Sequence, residues 1–144
     1  MKRFTVLFGA LLLGATTLLA QTFMVDGINY HVISDSEPYM VEVVPLNHAK
    51  DESEVYYSGD IVIPEQITYA GITYAVTRLV EGAFQHCKDL HSVEIPNSVT
   101  YIGTAAFNGC MNLTSIVISN TITSIEPHTF SQCHTTNNIS KCCC

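Results

Sequence analysis

Cysteine and histidine bring the most versatile chemistry to this chain, so their spacing is the first thing to weigh. Cys87, Cys110 and Cys133 recur at an interval of 23 residues, His86 and His91 flank the first, and Cys142, Cys143 and Cys144 end the sequence not far from His134. Zinc sites pair their cysteines about two to four residues apart, and this interval supplies no such pair. A catalytic thiolate needs partial exposure and a base aimed at it, whereas sequence neighbours on a strand or tight turn diverge. Equal spacing also marks one place in a repeat rather than several places in a disulfide framework. Two readings of the column remain. Stacked units would bring successive α-carbons within the roughly 4.4–6.8 Å that a disulfide tolerates. A small apolar thiol also suits a crowded inner corner, and equivalent side chains in a stack point the same way. The terminal "CCC" has no scaffold to hold a metal. Asp51, Glu52 and Glu54 lack the alternating ligands and turn glycine of a calcium loop and read as a solvated surface segment. With no nucleophile elbow, phosphate-cradling glycine loop or His-Glu-x-x-His in the sequence, no catalytic residue, metal or cofactor is expected.

The cysteine interval belongs to a longer repetition. "AFQHCKDLHSVEIPNSVTYIGTA" at 83–105 is followed directly by "AFNGCMNLTSIVISNTITSIEPH" at 106–128, with nine identical positions, and "TFSQC" starts a partial third copy at 129–133. "LHSVEI" has the L-x-x-L-x-L form of a leucine-rich repeat, with Val93 and Ile95 pointing inward from a short strand. A turn at "PNS", an extended piece from Val99 to Ile102 and a helical or tight-turn return complete one coil. A lone coil leaves two apolar faces open, and a second coil closes one of them, so copies must adjoin. Strands then lie about 4.8 Å apart with like residues superposed. The expected ladders are Phe84, Phe107 and Phe130; Cys87, Cys110 and Cys133; and Leu90 with Leu113.

Upstream, "DIVIPEQI" at 60–67 matches "VEIPNSV", placing Ile61, Ile63, Pro64 and Ile67 over Val93, Ile95, Pro96 and Val99. The coil at 61–82 then carries a nine-residue insertion, "YAGITYAVT", before "RLVEGAF" rejoins the pattern. That insertion resembles "VDGINYHV", and both read as hairpins with glycine at the turn. Tyr30 with Tyr74, and Tyr56 with Tyr57, read as hairpin packing. Residues 21–60 are thus expected to form a β cap and a loop, and 61–133 the repeats. After Cys133 the positions that should carry leucine and two inward residues hold Thr136, Ile139 and Lys141, so 134–144 reads as an irregular tail. The fold class expected is a β-rich α/β solenoid with an N-terminal β-hairpin cap.

"IPNSVTYIGTAAFNGCMNLTSI" resembles the 23-residue repeat of the BspA-like leucine-rich-repeat family, I-P-x-S-V-T-x-I-G-x-x-A-F-x-x-C-x-x-L-x-x-I. The resemblance covers roughly residues 24–133 and departs at Pro127 and His128, where the alanine is absent. It implies a secreted or surface-displayed solenoid used in adhesion and protein recognition, without catalysis. In a eukaryotic setting, Asn112 and Asn138 would stand in glycosylation sequons.

Lys2 and Arg3 ahead of the apolar run from Phe4 to Ala20 read as a secretory signal peptide over residues 1–20, too short and too rich in Gly and Thr for a membrane anchor. Its removal leaves four basic against thirteen acidic side chains. Such a chain repels nucleic acid and anionic lipid, and steers in basic partners. A protein or host-surface ligand is expected, with no membrane insertion of the mature chain. The candidate contact residues are the strand positions facing away from the core: Asp60 and Val62, Ser92 and Glu94, Ser115 and Val117, extended by Asn97, Tyr101 and Ser124. The alternative role is structural: a subunit that self-associates through its last coil.

Overall fold

The computed structural model describes residues 21–46 and 55–133, and the backbone of 139–141. The expected signal peptide, the acidic segment at 51–54, His134, Thr136 and the terminal cysteines lie outside the described residues. Ten strands occur among the described residues: β1 (Thr22–Val25), β2 (Ile28–Ser34), β3 (Met40–Val43), β4 (Gly59–Val62), β5 (Gln66–Tyr69), β6 (Ile72–Leu79), β7 (Leu90–Glu94), β8 (Tyr101–Ile102), β9 (Ser115–Ile118) and β10 (Ile139–Lys141).

One sheet follows the repeat. Its order is β10-β9-β7-β4, every pair parallel. Ser92 faces Ser115, Val93 faces Ile116 and Glu94 faces Val117, a step of 23 residues. Ile61 faces Val93, as the upstream match predicts. Ile139 faces Ile116 at the same step, so three residues of the tail expected to be irregular are a strand. Backbone groups pair whatever side chain they carry, and the lost leucine pattern does not prevent them from joining the ladder.

The return segments are tight turns, and no α-helix occurs among the described residues, so the α part of the expected fold is not seen. The hydrogen bonds give the reason. Within the first return, the N–H groups of Ala83, Gln85 and Cys87 donate to the carbonyls of Val80, Gly82 and Phe84, three residues back. The alternate ones, Gly82, Phe84 and His86, donate instead to Thr104, Ala106 and Asn108 of the next unit, the last two at 2.7 and 2.8 Å. A helix would direct its N–H groups past the first turn to carbonyls four residues back in its own segment, which does not fit this alternation. The alternation needs left-handed residues at two places per unit: Gly82, Ala105 and His128 (φ 64, 55 and 60°) and His86, Gly109 and Gln132 (φ 61, 76 and 59°). Four of these six are not glycine, a backbone cost that the inter-unit bonds offset. Where the family pattern has its alanine, Thr129 stands in the place of Ala106; it is buried, and its hydroxyl donates to the Glu126 carbonyl at 2.6 Å.

The other sheet begins as two hairpins. β1–β2 and β5–β6 turn at Asp26-Gly27 (φ 49 and 82°) and Ala70-Gly71 (φ 50 and 83°), positive at both central residues as type I′ turns require. The order is β1-β2-β3-β6-β5, with β8 beside the far end of β6. β3, β6 and β8 are parallel, and Arg78 faces Tyr101 at a step of 23. Thr100 N–H also donates to the Thr77 carbonyl, so the 23-residue step already holds at Thr77. Ile67 pairs with Tyr74 in the hairpin instead, which corrects its expected place over Val99 and moves the insertion upstream of Thr77. Ile67 and Val76 are both β-branched and both satisfy the apolar pattern; hairpin pairing decides between them. The sheet curls: Phe23 of β1 and Tyr69 of β5, on opposite edges of the strand order, stack at 3.9 Å, and Gln21 donates to the Tyr69 hydroxyl.

The core runs along the stack. Phe84 and Phe107 lie nearly parallel at 5.1 Å, and Phe107 and half-buried Phe130 at 5.5 Å. Tyr57 continues the column below Phe84 at 4.7 Å, so it is no hairpin residue. Its hydroxyl donates to the Val44 carbonyl and accepts the Asn29 N–H, joining the curled sheet to the repeats.

Candidate functional site

A parallel strand alternates its side chains between faces, and in-register stacking turns that alternation into rows. On β4, β7 and β9, Ile61, Val93 and Ile116 point into the core. The positions between them point out. One row is Asp60, Ser92 and Ser115; the other is Val62, Glu94 and Val117. Ser92 Oγ donates to Asp60 Oδ1 at 2.6 Å, which orients that exposed carboxylate. Val62 and Val117 keep 62% and 37% of their surface exposed, although either could have been polar at no cost to the core. Glu94 stands between them, exposed and with no ion-pair partner among the described residues, whose single ion pair joins His31 and Glu42.

The other expected contact residues are placed differently. Asn97 is exposed in the turn after β7, and Ser124 is exposed beyond β8. Tyr101 lies on β8, in the other sheet, so it does not extend the rows of β4, β7 and β9. It belongs to a separate polar row, His31, Glu42, Arg78 and Tyr101, one residue from each of β2, β3, β6 and β8. In that row His31 Nδ1 is 3.2 Å from Glu42 Oε1, and the Arg78 guanidinium lies 4.8 Å above the Tyr101 ring. Of this row, Arg78 alone was open to detection from the sequence, as the residue 23 before Tyr101.

The ladder residues are interior. Phe84, Phe107, Leu90, Leu113, Cys87 and Cys110 are buried, and Phe130 and Cys133 partly so. All three thiols are free. Each thiol in the second and third units donates to a carbonyl of the unit before: Cys110 to Phe84 and Cys133 to Phe107, both at 3.0 Å. Burial pushes Cys87 up to about 11. A hydrogen bond between Cys110 and Cys133, with burial second, raises Cys110; the same bond lowers Cys133, against its own burial. Cys87 and Cys110, raised and buried, are held protonated and pack and bond as interior thiols, whereas Cys133, at the half-buried end of the column, shifts toward the thiolate. Among the described residues no group of three or more His, Cys, Asp or Glu could hold a metal ion, and no helix is long and apolar enough to cross a membrane.

Comparison with known proteins agrees with this geometry. The family model described as the BspA type leucine rich repeat region matches residues 61–142 in six copies. A leucine-rich repeat protein from Bacteroides ovatus ATCC 8483 has a similar structure, with TM-score 0.69 and 32% identity over 81% of this chain and 28% of that one. A leucine rich cell surface protein from Faecalibacterium prausnitzii A2-165 superposes with TM-score 0.50 and 22% identity, over 78% of this chain and 25% of its own. A leucine-rich repeat protein from Bacteroides capillosus ATCC 29799 does so with TM-score 0.56 and 18% identity, over 82% of this chain and 96% of its own. The last two likenesses concern the fold alone. The chain spans about a quarter of the length of the first two structures. No curated protein sequence matches.

Proposed function

Because the chain belongs to the BspA-type leucine-rich-repeat family, we propose that it is an exported, non-catalytic repeat module that binds a protein or host-surface ligand through the outer face of β4, β7 and β9. The observation that carries this reading is the pair of exposed valines in register on either side of a carboxylate that has no ion-pair partner among the described residues. A flat, rigid sheet face built from several strands holds contact residues at fixed spacing with little entropy left to lose on binding. Export is supported by Lys2, Arg3 and the apolar run behind them, and by the description of one similar structure as a cell surface protein. In this reading the molecule is a solenoid, and the curled sheet of β1–β3, β5 and β6 is its N-terminal cap, which shields the first coil as a stack requires.

The test is retention by a panel of immobilised extracellular proteins. A V62S/V117S double variant should lose the binding shown by the parent chain, while T73S, on the other sheet, should keep it. Equal retention of all three by every bound protein would remove the face from consideration.

A further inference from the structure

We infer that Glu94 is the anchor for a basic side chain, arginine or lysine, presented by the protein partner; this rests on the proposed role of the β4-β7-β9 face. Glu94 is flanked in register by Val62 on one strand and Val117 on the next, each about 4.8 Å away. A carboxylate between two exposed valines is complementary to a cation carried on an aliphatic stem: the methylenes lie along the valines while the charged head reaches the oxygens. Of the basic side chains in the described residues, Arg78 lies over Tyr101 on the other sheet and Lys88 precedes β7, so neither row of this face contains a cation. Asp60, oriented by Ser92, adds a second carboxylate diagonal to Glu94.

Charge also selects against other occupants. An apolar or acidic partner surface would cover the valines but bury Glu94 without a counter-charge, and an unpaired buried charge costs more than such a small apolar patch returns. The chain carries six basic against thirteen acidic residues, so its long-range field favours approach of the same partner chemistry.

The experiment uses three short peptides, identical except for two central residues that are arginine, lysine or glutamine, titrated into the isotopically labelled chain at low salt. With arginine or lysine, amide shifts should concentrate at Ser92, Glu94 and Val117, and affinity should fall about fivefold in E94Q. The glutamine peptide should leave these amides unmoved. The arginine and lysine arms decide which head group fits better. Shifts elsewhere, or equal affinity of E94Q and the parent chain, would overturn the proposal. Concentration-dependent shifts of the same amides without peptide would place a second copy on this face and overturn it too. Failure here is separable from failure of the binding face itself. If a panel protein still binds E94Q but not V62S/V117S, the basic anchor is wrong and the face stands; if it binds both, the face falls as well.

Discussion

The repeat units and the curled sheet reach a buried core by opposite routes. From Thr77 onward, the main contacts between units repeat by translation of one period: strand on strand, Phe on Phe, thiol onto the carbonyl below. In the curled sheet only Tyr30 and Tyr74 hold matching hairpin positions, and even they have different neighbours. Phe23, Tyr30, Tyr69 and Tyr74 meet at four different strands, and Tyr39 packs edge-on against Tyr74 at 5.8 Å. Periodicity lets one sequence choice be copied and makes neighbours interdependent. The aperiodic sheet depends on turn chemistry and on edges that happen to meet. Tyr57 is where the two kinds of construction join.

The largest way to break this contrast is Phe107→Ala. The ring is fully buried between two others, and its loss should cost about 3–5 kcal/mol. Phe130→Ala, at a half-buried position, should cost clearly less, and urea titration would measure both. Gly103→Ala comes next. A Cβ there would meet the Val80 carbonyl carbon at 2.7 Å and the Glu81 Cα at 2.8 Å, rigid backbone of the unit before, so about 1–3 kcal/mol should be lost.

Tyr57→Phe probes the joint. It keeps the ring on Phe84 but removes the bonds to Val44 and Asn29, costing about 1–2 kcal/mol, and amide exchange should quicken at Asn29. Alkali should act similarly. Burial raises Tyr57 from 10.0 to about 12 and Cys87 from 9.0 to about 11. Raised values favour the protonated forms in the folded state. Their contribution is therefore complete below pH 9 and is lost as pH rises through about 11 and then about 12. A urea midpoint that stays level from pH 9 to 12 would contradict this. The smallest effect is a gain: Ala70→Asn, at φ 50° in an exposed turn, should stabilise the β5–β6 hairpin by about 0.4–1 kcal/mol, read as a higher melting temperature.

Much of the repeat half was legible because a period is a long-range signal written locally. Matching 83–105 to 106–128 implies which side chains superpose, and Ser92 with Ser115 and Glu94 with Val117 do face one another. The hairpins were legible from glycine with alternating apolar residues. Tyr57 was not, because it lies 27 residues before Phe84 and shares no spacing with the column it joins. The left-handed backbone at Ala105, His86 and Gln132 was equally hidden, since only one residue in each column of three is a glycine. The acid and valine positions of the candidate face were readable from strand alternation, but alternation does not tell that the strand of Tyr101 belongs to the other sheet.

The amino-acid order alone determined the period, the two turns and the inward alternation, because each depends on residues close in sequence or exactly one repeat apart. Tertiary structure alone decided that Val76 rather than Ile67 enters the repeat ladder, that the returns are turns rather than helix, and that Phe23 meets Tyr69. In each case the local pattern allowed two outcomes of similar energy. Backbone hydrogen bonds and ring contacts to distant strands selected one.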